Sequence, residues 1–124
     1  MARLRSSHPA SRTIALVLAT AGLAAGLGAC GGGNSAALGH EACVDVAASL
    51  RYYGDASHAA SPARARADRA RALEDLDNAL QPAALAASSD GSWQALEATL
   101  SESSRVNEGL LTTALDAQCA QTLS

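Results

Sequence analysis

The residues best suited to chemistry lie together in the segment Tyr52-Tyr53-Gly54-Asp55-Ala56-Ser57-His58. A tyrosine oxygen and a histidine nitrogen can each ligate haem iron. Tyr52 or Tyr53, together with His58, could therefore hold haem or another apolar ligand in an open groove at the end of a helix. In the alternative interpretation Tyr53 packs in the core, Tyr52 is half-exposed and His58 is solvated in a loop.

Two other clusters point less clearly to a site. His40 and Cys43 are three residues apart, a possible metal spacing, but a zinc ion needs two further ligands. Glu74, Asp75 and Asp77 could act as acids or bases only if buried, and their Arg-rich helix indicates a solvated face. The chain has no Lys and shows no nucleophile with a neighbouring base. We therefore expect no catalytic residues, no metal and no enzymatic activity.

Cys43 and Cys119 are expected to form a disulfide, because two thiols in an exported protein usually pair. The bridge restricts the topology, since its Cα atoms must lie within about 7 Å of each other. An up-down-up bundle of three helices would place these residues more than about 20 Å apart. The disulfide therefore favours an even number of helices that run up and down the bundle, and hence four helices.

The arrangement of these residues is similar to that of the haemophores, small secreted haem-binding proteins of mycobacteria. Those proteins are all-helical, with a Cys near the start of the first helix, a Tyr and a nearby His after it, and a closing Cys. The resemblance spans Cys43 to Cys119 loosely and implies a haem ligand set of Tyr52 or Tyr53 with His58. A second, helix-borne His is missing from this chain, so the ligand set is incomplete.

The N-terminus has the layout of an export signal. Residues 1–12 carry three Arg and no acid, and residues 13–27 are apolar or small. This apolar run is shorter than the ~20 residues that span a bilayer. Leu27-Gly28-Ala29-Cys30 then resembles the bacterial lipobox, which implies cleavage before Cys30 and a diacylglycerol on its thiol. The glycine-rich residues 31–37 are expected to form a flexible tether.

The charge of the chain argues against nucleic acid as a partner. Once residues 1–29 are removed, six Arg remain beside all 12 Asp and Glu residues, a net charge of −6. Such a surface repels phosphate backbones. We expect a membrane contact through the lipid, with an envelope protein or a small apolar ligand as the partner.

The rest of the chain indicates helices, because good helix formers dominate and apolar residues recur every three or four positions. A first helix is predicted from about His40 to Ser57. A second begins near Pro62, which suits the first turn of a helix, and Pro82 should stop or kink it near Leu80. Its Arg71 can reach Glu74 or Asp75, and such a pair would contribute only a few tenths of a kcal/mol, on the order of 0.2–0.5. The predicted buried positions are Cys43, Val46, Ala47, Leu50, Tyr53, Ala72, Leu73, Leu76, Ala79 and Leu80.

The last segment, from about Trp93 to Gln121, should be two helices or one bent helix. Its apolar spacing falters near Ser103 and Gly109. Trp93 either plugs the end of the bundle or offers a contact to a partner. The apolar positions of this segment are Trp93, Leu96, Leu100, Leu110, Leu111, Ala114, Leu115 and Cys119.

The sequence thus predicts an all-α, disulfide-linked bundle of three to four helices after a flexible N-terminal tether. Residues 1–29 form a cleaved signal peptide, residues 30–39 the lipidated Cys and tether, and residues 40–122 the helical domain. The expected protein is a lipoprotein on the exported side of the cell membrane, at the cell surface or in the periplasm. It would act as a non-enzymatic binding module without a cofactor, or alternatively as a binder of haem or another hydrophobic small ligand.

Overall fold

The computed structural model describes residues 25–124, with side chains from residue 33 onward. Over this range the chain forms four α-helices and one short 3-10 helix, and no strand. The elements are α1 (Ala25–Ser57), α2 (Pro62–Ser89), the 3-10 helix (Gly91–Trp93), α3 (Gln94–Ser101) and α4 (Glu108–Cys119). The all-α prediction with four helices is confirmed. None of the helices in this range has the length and apolar character needed to cross a membrane.

The first helix begins earlier than the sequence suggested, at Ala25 rather than near His40. Residues 33–39, which we expected to form a flexible coil, are helical. The reason is tertiary packing, which outweighs the poor helix propensity of glycine. Ser35 is fully buried, and Gly39 lies so close to Trp93 that a Cβ there would overlap the indole.

The export signal and the lipobox stay predictions. Residues 1–24 lie outside the described residues. So do the side chains of the four lipobox residues, Leu27, Gly28, Ala29 and Cys30.

The two long helices α1 and α2 pack along each other and provide much of the core. Their turn is fixed by Ser61, whose side chain accepts a hydrogen bond from the backbone N–H of Arg64 (3.2 Å), followed by Pro62 at the start of α2. Across the interface the Ser49 hydroxyl donates to the Ala72 carbonyl (2.8 Å). The buried apolar positions of this pair include Ala42, Cys43, Val46, Tyr53, Ala72, Leu76, Ala79 and Ala83.

Pro82, predicted to stop or kink α2, does not stop it, and the helix continues for two further turns. The reason is that Pro82, Ala83 and Ala86 are all buried, so packing offsets the hydrogen bond that proline cannot donate. Leu73, expected in the core, is 38% exposed, because the buried stripe of α2 passes one residue away from it.

The Cys43–Cys119 disulfide is confirmed, with its Cα atoms 5.4 Å apart. A bundle of four helices requires the last segment to be interrupted, and this interruption lies between Ser101 at the end of α3 and Glu108 at the start of α4. There Asn107 begins α4, its side-chain oxygen accepting from the backbone N–H of Gly109 (2.9 Å). α3 therefore leads away from the part of α1 near Gly39, which Trp93 contacts, and α4 returns to Cys43.

Candidate functional site

The structure separates the three residues of the Tyr/His cluster. Tyr53 is buried in the core, whereas Tyr52 is half-buried on a different side of α1. The guanidinium carbon of Arg71 lies 5.7 Å from the centre of the Tyr52 ring, a cation–π contact. Arg71 thus stacks on an aromatic ring, and the expected ion pair with Glu74 or Asp75 is absent among the described residues.

His58 is exposed just beyond α1 and bonds locally. Its Nδ1 lies 2.9 Å from the Gly54 carbonyl oxygen and 2.9 Å from the Ser57 hydroxyl. These contacts hold the ring against the last turn of the helix. His58 lines neither the groove beside Tyr52 nor the one beside Tyr53. The structure does not bring it together with either tyrosine around a common space.

Tyr53 lies beside an ion pair that the sequence did not reveal. Arg69 of α2 donates from Nε to Oε2 of Glu108 at the start of α4, over 2.7 Å. This pair joins residues 39 positions apart, so no local pattern could indicate it. The pKa of Tyr53 is raised, first by burial and then by the Glu108 carboxylate, while Arg69 opposes the shift. The phenol therefore resists ionisation.

An open furrow runs along the surface between α1 and α4. We define it by Ala47, Leu50 and Gly54 on the α1 side and by Thr112, Asp116 and Leu123 on the other. It consists of two grooves of about 310 and 170 Å³ that meet at Leu50. Tyr53 and Glu108 line the larger groove, and the Cys119 end of α4 lines the smaller one. No basic side chain lines either groove, whereas two carboxylates do.

The acidic residues of α2 are not all on a solvated face. Glu74 and Asp77 are exposed as expected, but Asp75 is partly buried, and its Oδ2 atom has no hydrogen-bond partner among the described residues. Asp75 also raises the pKa of Asp45 on α1, after the larger contribution of burial. Asp68, which the sequence did not single out, is buried and accepts from Nε of Arg64 (3.0 Å).

The cysteine of the possible His40–Cys43 metal pair is committed to the disulfide. Within the part of the chain that the structure describes, no three His, Cys, Asp or Glu side chains are grouped so as to hold a metal ion.

The comparisons give no relative. No family model, no curated protein and no solved structure matches this chain.

Proposed function

We propose that this chain is an exported lipoprotein, held to a membrane by a lipid on Cys30, whose helical domain is a non-enzymatic binding module. The observation that carries the binding role is the open furrow between α1 and α4. Its smaller half is lined mostly by apolar side chains, as grooves that bind ligands commonly are.

The occupant that fits the furrow best is an amphipathic helix of a partner protein in the cell envelope. From Val46 to Ser57 the α1 wall is about 16 Å long, which matches three turns of a helix. Helices commonly bind by laying an apolar face into such a groove. Asp116 is exposed at the rim without an ion-pair partner in the described chain, and the lining contains no base. A basic residue at the edge of the partner helix would complement it.

Photo-crosslinking in the native envelope tests this occupant. A benzophenone amino acid at Ala47, inside the furrow, should give a discrete protein adduct, whereas the same group at Ala67, exposed on α2, should not. Asp116→Arg should weaken the adduct because it reverses the charge at the rim, and Asp77→Arg is its matched control on α2. Equal adducts from both positions, or none from Ala47, would contradict the proposal.

The anchor is tested separately by intact mass spectrometry of the membrane-extracted protein. We expect a chain that begins at residue 30 and carries the mass of a diacylglycerol. Cys30→Ser should abolish both processing and lipidation, whereas Cys43→Ser should leave the lipid in place. A mature protein with another N-terminus and no lipid would exclude this part of the proposal and leave the furrow untouched.

Haem binding is the second candidate, because Tyr53 lines the larger groove of the furrow. Ligation of iron by this phenol would require the ionised form that its surroundings disfavour. Titration of the full chain with haemin, against a detergent blank, separates the candidates. A saturable one-to-one Soret band that Tyr53→Phe or His58→Ala removes would favour haem; the partner-helix proposal expects no such band.

A further inference from the structure

The Tyr53 hydroxyl in the larger groove of the furrow is free to contact a ligand. Tyr53 is only 7% exposed, and it lines this groove. Its hydroxyl oxygen makes no hydrogen bond to another described residue, yet it is not one of the fully buried atoms of the described chain that lack a partner. The oxygen therefore keeps contact with the space of the groove. Burial and the Glu108 carboxylate raise the pKa of the phenol, so it stays a neutral hydroxyl that can donate and accept.

The neighbouring hydroxyl groups of this groove are left as acceptors. The Ser57 hydroxyl donates its proton to the Gly54 carbonyl (2.7 Å), and the Thr112 hydroxyl donates to the Gly109 carbonyl (3.2 Å). Each hydroxyl has a single proton, so its oxygen can only accept a further bond. The backbone N–H of Gly109 is already bonded to the Asn107 side chain (2.9 Å). The groove thus suits a ligand that brings several N–H donors.

Two carboxylates add negative charge to the furrow. Glu108 accepts Nε of Arg69 at its Oε2 atom, and no contact within the described chain uses its Oε1 atom. The Glu108 side chain is 38% exposed where it lines the larger groove. Asp116 lines the smaller groove and has no ion-pair partner in the described chain. Because no base lines either groove, a donor that carries positive charge complements both parts of the furrow.

From this arrangement we propose that the partner helix carries two basic residues seven positions apart, one contacting Tyr53 and Glu108 and the other contacting Asp116. This inference rests on the proposed function and specifies which face of the partner enters the furrow. Glu108 and Asp116 are eight residues apart on α4, or about 12 Å. Seven residues of the partner helix cover about 10.5 Å, and the length of a Lys or Arg side chain spans the difference. An apolar residue between the two bases would pack on Leu50, where the grooves meet.

Sequencing of the partner segment tests this spacing. The adduct of the benzophenone variant at Ala47 is isolated from the native envelope, digested with a protease that cuts after Glu, and read by tandem mass spectrometry. We expect the crosslinked segment to be an amphipathic helix with Lys or Arg at two positions seven apart, on the edge of its apolar face. If no adduct forms, the proposed function itself fails. An adduct whose segment lacks such a pair leaves that function standing and overturns this inference alone.

A double-mutant cycle then assigns one base to the larger groove. Tyr53→Phe removes only a hydroxyl that makes no bond within the described chain, so the fold should keep its stability while the adduct yield falls about three- to tenfold. Tyr52→Phe, on a different side of α1, is the matched control and should leave the yield unchanged. Replacing one of the two partner bases by Ala should lower the yield similarly, and combining it with Tyr53→Phe should add little. A normal yield from Tyr53→Phe, or losses that add in full for both bases, would overturn the inference.

Discussion

Removal of the Cys43–Cys119 disulfide should destabilise the domain by an amount set mainly by the length of the loop it closes. The two residues are 76 positions apart. In the chain-entropy model, closing a loop of that length lowers the entropy of the unfolded chain by the equivalent of about 4.5 kcal/mol at 25 °C. For the roughly 90 residues of this domain, the whole free energy of unfolding should be only about 5–13 kcal/mol. The bridge is thus a large share of the stability.

The double variant Cys43→Ala/Cys119→Ala measures this contribution. Urea unfolding, followed by circular dichroism of the full chain in detergent, should show a loss of about 4–5 kcal/mol, with a further small loss because both sulfurs are buried. The single variant Cys43→Ala should lose nearly as much as the double, since either change opens the bridge. A reductant should destabilise the wild type and leave the double variant unaffected. A loss below about 1 kcal/mol would refute the loop-closure reasoning for this protein.

Two further predictions concern single positions. Gly39→Ala should destabilise by about 1–2 kcal/mol in the same assay, since the new methyl group overlaps Trp93 and outweighs the gain in helix propensity. Gly54→Ala, also in α1 but with open space around it, should stabilise by up to about 1 kcal/mol, and equal effects at the two positions would contradict the close contact. Asp45→Asn should stabilise at pH 7, because burial and the Asp75 carboxylate raise the pKa of Asp45 above 3.8 in the folded state. Below pH 3.8 the Asp45 carboxyl is mostly protonated, and the wild type loses stability as the pH rises from there through the raised pKa. The advantage of the variant should therefore vanish below pH 3.8. An advantage that persists there would show another cause.

The sequence was sufficient for the helical class and the topology because both depend on local or covalent constraints. Apolar spacing indicated Val46, Leu76 and Ala79 as buried, and each is buried. The disulfide excluded an odd number of passes. Pro62 began a helix as expected, because its missing N–H has no partner in a first turn.

The failures arise where tertiary contacts outweigh local preference. Gly39 is a poor helix former, yet α1 runs through it because the space that its missing side chain leaves admits the Trp93 indole. Pro82 is tolerated for the same kind of reason. The ion pair of Arg69 with Glu108 and the hydrogen bond from Gln118 to Thr99 join distant segments. Neither is visible before the helices are placed in space.

Because α1 is one continuous helix, it determines how far the rest of the domain lies from residue 30 and how the domain is rotated about the helix axis. With a lipid on Cys30, as proposed, Gly39 lies about 14 Å along the helix axis from the anchored residue. The turn that follows Ser57 lies about 40 Å from it. If the helix continues unbroken to the anchor, it holds Gly39 closer to the lipid than the furrow, which lies farther along the same helix. Each residue inserted between Cys30 and Gly39 would then rotate the domain by about 100° relative to its anchor.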